Sequence, residues 1–235
     1  MLQPQTYPRL LGQALTLQSD PIVEMVDDDN PWIEGLFFVF VLGLLLAVAR
    51  LVGGLLLWAS LPPSDAVRET LVIGLKQSFP LLFGEQAAAE TFLRQIWPWL
   101  TPFYAYENGL LGLLILIVTP LGLIGQWLLY ASVSHGAARL LGGKGSLGQT
   151  LGAVALSLAP RILSVAALVP FVSVSLLLVN GWGLLIAYRG LAVVHDLPTG
   201  RAAVAALAPL LLGGLVLALT ALFGIGLMTL TGGGA

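Results

Sequence analysis

The run His135-Gly136-Ala137-Ala138-Arg139-Leu140-Leu141-Gly142-Gly143-Lys144-Gly145-Ser146 holds the densest group of side chains that could do chemistry. A lysine among glycines invites a test for phosphate binding. A P-loop would require Gly at 138 and Ser or Thr directly after the lysine. The chain has Ala138 and Gly145 there, and no strand precedes the run. Nucleotide hydrolysis is therefore not expected. The plain reading is a turn, in which glycines supply positive φ and Ser146 caps the helix that follows. A sharper reading, compatible with the first, is a lipid-headgroup contact by Arg139 and Lys144.

Few other residues could react. The chain has two histidines, His135 and His195, and no cysteine. That leaves no haem pair, metal cluster, thiolate or Ser-His-Asp set to assemble, so no cofactor or metal is expected. Asp27–Asn30 faintly resembles a calcium loop but lacks the glycine that such a loop needs. Gln126, Tyr130 and Ser134 fall at i, i+4 and i+8, one helical face, where such residues bond across helices. Arg50 and Arg161 are charges inside apolar runs, which makes them functional candidates. Arg50 either snorkels outward or pairs with Glu107. Arg161 can bond to carbonyls freed by Pro160.

The elements that must position these residues are set by composition. Of 235 residues, 57% are hydrophobic and only 9% charged, with mean hydropathy +0.94. A soluble domain carries about 25% charged residues. A net charge of −2 offers no basic surface for nucleic acid. A bilayer-spanning helix needs about 20 mostly apolar residues. Five stretches qualify: Gly35–Leu57, Leu110–Val133, Thr150–Val169, Phe171–Val194 and Ala202–Leu227. They show no period-2 alternation, so the expected fold is all-α, a polytopic bundle of five membrane helices. The third stretch is marginal, because Arg161 costs roughly 2.5–3.5 kcal/mol on the insertion scale, about what its apolar residues return. It is expected to insert as a hairpin with the fourth, turning at Pro170. Thr119-Pro120 is expected to kink the second. Gly43 with Ala47, Ala49 with Gly53, and Gly214 with Ala218 suggest close helix packing.

Residues 1–34 form the N-terminal segment, 35–227 the membrane domain and 228–235 a short flexible tail. Arg9–Leu17 reads as a short helix that either lies in the interface or packs under the bundle. Within the external loop 60–109, helices are expected from Ser64-Asp65 toward Gln77 and over Glu85–Trp97. The second would present Ala88, Phe92, Ile96 and Trp97 before Pro98 and Pro102 break it. Trp97, Trp99, Phe103, Tyr104 and Tyr106 resemble an interfacial aromatic belt. No cleavable signal peptide is visible, so the first span is expected to act as a signal anchor. Arg139 and Lys144 in the loop Ser134–Gln149, and Arg201 in the loop His195–Arg201, place these loops and the N-terminus in the cytoplasm. The long loop and the C-terminus then lie outside. The expected location is the plasma membrane of a prokaryote.

From about residue 110 to 212 the chain resembles the Ypt-interacting-protein (Yip) family. The resemblance rests on His135-Gly136, the Leu140–Ser146 turn, Ala155–Pro160, and the run from Gly181-Trp182 through Tyr188-Arg189-Gly190-Leu191 to His195. Asp20-Pro21 and Asn30-Pro31 are similar to prokaryotic members. It implies five helices, a cytoplasmic N-terminus and no enzymatic activity. Eukaryotic relatives act in vesicle traffic, contact prenylated Rab GTPases and carry a longer cytoplasmic N-terminal region. The early first span and long first loop of this chain argue against GTPase binding. The leading expectation is a non-catalytic protein that organises membrane lipids or partner proteins. The alternatives are an accessory subunit of a respiratory or photosynthetic membrane complex, and a passive channel or small-solute transporter. The five spans as drawn contain no Asp or Glu, which disfavours ion-coupled transport.

Overall fold

A computed structural model describes residues 6–60, 64–80, 86–100 and 113–232. Its elements are helical: α1 Tyr7–Leu15, α2 Asp20–Val26, α3 Pro31–Ser60, α4 Ser64–Ser78, α5 Gln86–Leu100, α6 Ile115–Leu140, α7 Leu147–Ala155, a 3₁₀ helix Leu156–Leu168, α8 Leu176–His195 and α9 Thr199–Gly232. No strand occurs among the described residues. Five segments are long and apolar enough to cross a membrane: Pro31–Leu57, Ile115–Leu140, Leu147–Leu168, Leu176–His195 and Thr199–Phe223. Many of the large apolar side chains left exposed, Leu44, Leu121, Leu177 and Leu217 among them, lie on these segments. In a bilayer that surface faces lipid, where exposure of leucine carries no hydrophobic penalty.

The spans match the hydropathy reading in number and order, but their ends differ. α6 continues seven residues beyond Val133, so Ser134, His135 and Arg139 stand on helix and the connecting turn is only residues 141–146. Three residues, 196–198, separate α8 from α9, and Arg201 belongs to the first turn of α9. The fourth span starts at Leu176 rather than Phe171, behind a turn that contains Pro170. Ser175 caps it by accepting from the Leu178 amide. The marginal third span is a composite of nine α-helical and thirteen 3₁₀ residues. At roughly 1.5 and 2.0 Å per residue this composite reaches about 40 Å. Pro160 sits inside the 3₁₀ part, where its missing N–H removes a helical bond. The last helix runs on through Gly232.

The chain divides into two compact units, Met1–Gly43 with Pro120–Leu163 and Ser175–Ala235, and Leu44–Thr119 with Ser164–Val174. In the first unit, α8 packs against α7 and α9, and α2 packs on α7. Its core includes Leu10, Ile22, Met25, Trp127, Leu156 and Ile186, all nearly inaccessible. α1 buries Leu10 and Ala14, and Trp182 Nε1 donates to the Leu15 carbonyl at 3.0 Å. The N-terminal helix therefore packs under the bundle. Tyr7 donates to the buried Glu34 carboxylate at 2.5 Å. Burial, then the neighbouring Glu34 carboxylate, pushes the Tyr7 phenol well up, so it stays a donor. Residues 27–30 form a bend in which the Asp28 carboxylate accepts from the Asn30 amide at 3.0 Å, which holds its pKa down. Gly43 packs on the buried Pro120 of α6.

In the second unit, α4 and α5 form a helical pair around Val72, Ala89 and Leu93, with Leu75 and Ile96 beside them. Both helices lie where the sequence places them. The apolar face of α5 is offset by one residue: Ala88 is exposed and Phe92 is 39% exposed, while Ala89 and Leu93 are buried. α5 also passes through Pro98 to Leu100 instead of stopping before it. The expected aromatic belt and Glu107 lie outside the described side chains, so the Arg50–Glu107 alternative does too. Gly214 and Ala218 are exposed and make no close packing pair.

Gly53 and Gly54 make a sharp contrast. A Cβ on Gly53 would lie 1.9 Å from the Ala167 carbonyl oxygen, whereas one on Gly54 would meet nothing within 4 Å. Gly53→Ala is expected to lower stability by about 1–3 kcal/mol, the usual range for overpacking, and Gly54→Ala to leave it unchanged or raise it. Thermal unfolding of the two variants in one detergent checks this; equal midpoints would contradict the contact.

Candidate functional site

Several polar residues of the spans gather in two places in the first unit. One is a cleft of about 410 Å³ lined by Gln126, Tyr130, Ser157, Arg161 and Asn180 together with apolar side chains. Arg161 Nη2 donates to Gln126 Oε1 at 2.9 Å and to Asn180 Oδ1 at 3.5 Å. These partners come from side chains of α6 and α8, beside the carbonyls near Pro160 that the sequence offers. The shared face of Gln126 and Tyr130 does bond across helices. Tyr130 donates to the Ala206 carbonyl on α9 at 2.7 Å. Ser134, on the same stripe, is buried and its hydroxyl has no partner among the described residues.

The wall of this cleft depends on backbone proximity. In a 3₁₀ helix the carbonyl of Ser157 would accept from residue 160, but Pro160 has no N–H to give. That carbonyl oxygen lies 2.5 Å from where a Cβ on Gly183 would sit. Only glycine on α8 admits the approach. The cleft presents a fixed guanidinium held by neutral amide oxygens. It can take an anionic or hydrogen-bonding group; Tyr130, engaged with a backbone carbonyl, is not poised as a base.

The second place is a cluster in which Thr150 and His195 are buried and His135 half-buried. Thr150 Oγ1 lies 2.9 Å from His135 Nδ1, 2.9 Å from His195 Nε2 and 2.9 Å from the Ser146 carbonyl oxygen. The two imidazole rings are 5.2 Å apart. A threonine hydroxyl has one hydrogen and two lone pairs. The Ser146 oxygen can only accept, so it takes the hydroxyl hydrogen. Both imidazoles must then donate to Oγ1, which assigns His135 its Nδ1–H tautomer and His195 its Nε2–H tautomer. His195 Nδ1 is left as a buried acceptor without a partner among the described residues. A Cβ on Gly143 would fall 2.7 Å from this nitrogen, so the glycine lets the turn close over the ring. The two histidines, sixty residues apart in sequence, come together here. Among the described residues no group of three or more potential metal ligands forms.

The basic turn surrounds this cluster. Ser146 caps α7 in a full capping box with Gln149, as expected. Gly142 is the turn glycine with positive φ, at 92°. Arg139 Nη1 donates to the carbonyls of Gly143 at 3.1 Å and Lys144 at 3.4 Å, and Arg201 Nη1 to that of Leu141 at 3.2 Å. Lys144 pairs with Asp196 at 3.3 Å, both about 80% exposed. Asp196 itself ends α8 in the left-handed conformation, which Asp tolerates better than most residues.

Five helical segments long and apolar enough to cross a bilayer define an integral, multi-pass α-helical membrane protein. A family model described as the Yip1 domain matches residues 15–220, and the chain belongs to that family. The match extends well beyond the 110–212 region that carries the resemblance in sequence. No curated protein and no solved structure matches the chain.

Thr150→Val removes the acceptor that two imidazole N–H groups share, that of His195 buried and that of His135 half-buried. Stability is expected to fall by about 1–3 kcal/mol, the cost of leaving buried donors unsatisfied, and Thr150→Ser is expected to restore most of it. Detergent-melting midpoints of the two variants test the assignment, and a neutral Thr150→Val would refute it.

Proposed function

We propose that this protein is a non-catalytic membrane organiser that gathers anionic lipids, or partner membrane proteins, at the basic surface of the two short turns. The observation that carries the reading is the exposure of Arg139, Lys144 and Arg201 beside a single turn carboxylate, Asp196. The Lys144–Asp196 pair is open to solvent, and such pairs contribute only about 0–1 kcal/mol. A phosphate group can displace it readily. Arg139 and Arg201 each anchor one nitrogen on a turn carbonyl. A guanidinium has five N–H donors, so most remain to meet phosphate oxygens. The polar groups within the spans support a structural reading: Trp127 donates to the Leu151 carbonyl, Tyr130 to that of Ala206, and Arg161 to two side-chain amides.

In this reading the protein lies in the plasma membrane of a prokaryote, with its N-terminus and both basic turns facing the cytoplasm and its C-terminus outside. Basic residues concentrated in short loops favour that orientation. A reporter inserted after Gly143 should report a cytoplasmic position, and one fused after Ala235 an external one. Two cytoplasmic reports would mean an even number of crossings and would overturn the orientation.

The headgroup role has its own test. Anionic lipids attract each basic side chain near the surface by about 1 kcal/mol. Replacing Arg139 and Lys144 with Gln should reduce the anionic lipids that co-purify in mild detergent while the melting midpoint changes little. Unchanged lipid content would remove the headgroup role. Stoichiometric protein subunits in the same preparation would favour an accessory role in a larger complex.

A further inference from the structure

A second cavity, in the unit formed by Leu44–Thr119 and Ser164–Val174, contains a charge that no described residue engages. Arg50 is exposed and, among the described residues, makes no hydrogen bond or ion pair. It lines a cavity of about 450 Å³. Apart from Arg50 and Ser173, every lining side chain is apolar, with Leu57 on α3 and Val169, Phe171 and Val172 on the turn between the third and fourth spans.

Three features of this cavity bear on what fills it. Arg50 lies seven residues before Leu57, the end of the first span. That is roughly 10 Å along the helix axis, within snorkelling reach of the membrane face. The turn that shares the cavity is where the chain itself reaches that face. Second, Gly54 lines the cavity although no neighbour comes within 4 Å of where its Cβ would be. Glycine inside a helix is justified by close packing or by close approach of a ligand; packing explains Gly53 but not Gly54. Third, Phe171 is held at φ 67° with 78% of its surface exposed. A bulky residue in that region is strained, and strain of this kind clusters at ligand clamps.

We propose that this cavity binds one anionic phospholipid, its phosphate on the Arg50 guanidinium and an acyl chain along Gly54, Val169 and Val172. A planar guanidinium matches phosphate oxygens in a fork geometry, and no described residue occupies that of Arg50. A free phosphate would satisfy the charge but leave the apolar wall unfilled. The site uses none of the residues of the basic turn, so the two lipid readings stand or fall separately.

The full-length protein is reconstituted in nanodiscs of equimolar phosphatidylglycerol and phosphatidylcholine, and the lipids it retains on release are counted by native mass spectrometry. Wild type is expected to retain phosphatidylglycerol preferentially. Arg50→Gln should reduce that preference roughly tenfold, the usual weight of one charge-assisted contact, without lowering the melting midpoint. Gly54→Leu, whose Cβ meets no neighbour within 4 Å and whose side chain projects into the groove, should reduce retention of both lipids. The variant with Gln at 139 and 144 should keep the Arg50-dependent lipid, whatever happens at the basic turn. An unchanged preference in Arg50→Gln, or unchanged retention in Gly54→Leu, overturns the proposal. Displacement of the retained lipid by millimolar inorganic phosphate alone overturns it as well, because the ligand would then be a free anion.

Discussion

The hydroxyl of Thr150 is the point on which the first unit's helices agree. It sits on α7, receives a hydrogen bond from His135 on α6 and another from His195 on α8, and gives its own hydrogen to the Ser146 carbonyl in the turn before it. Lipid tails are as apolar as leucine, so leucine contacts alone do not tell one helix where to stand against another. Polar bonds and close backbone contacts do. One saturated hydroxyl fixes the heights of three helices together and sets both imidazole tautomers. The turn over this cluster can close because residue 143 lacks a Cβ. The Lys144 amide then donates to the His195 carbonyl, tying the turn to the end of α8. The basic side chains presented at the surface are thus positioned by a buried neutral network.

Hydropathy revealed the five spans because it averages over a length that a bilayer dictates. It missed their ends for the same reason. The stretch from Ser134 to Leu140 is too polar to count as membrane core, yet it carries the last turns of α6, and those turns deliver His135 to Thr150. On α5 the helix was clear but its face was not. Ala88 and Ala89 are identical, and Phe92 and Leu93 are both apolar, so spacing alone could not choose between neighbouring stripes. Only the α4 partner, with Val72, decides.

The site was visible in fragments. Gln126, Tyr130 and Arg161 stand out as polar residues in apolar runs, and the cleft does unite them. Asn180 and Thr150 did not stand out. Each is a small polar residue near a span end, ordinary by type, and each matters through a bond to a residue 15 to 45 positions away. Glu34 escaped because hydropathy starts the first span one residue after it, while the helix starts at Pro31 and buries its carboxylate against Tyr7. Nothing local encodes such pairings. The two histidines are sixty residues apart in sequence, and only the α6–α7–α8 arrangement brings their rings to 5.2 Å.

Arg50 and Arg161 show how one residue type takes two roles according to its surroundings. Moving a guanidinium out of water is costly unless its donors are met. For Arg161 the protein meets them in part with Gln126 and Asn180, whose oxygens are neutral, so the bonds orient the guanidinium without cancelling its charge. Arg161 can therefore hold the composite third span, with its proline and long 3₁₀ stretch, against α6 and α8. Around Arg50 the described residues supply no partner at all, only an apolar wall and a glycine that packing does not require. In water that arrangement would need no explanation, because solvent would satisfy the charge. At the edge of a bilayer the partners on hand are headgroups, and the lowest-energy one for a cation beside an apolar wall carries both an anion and a hydrocarbon chain.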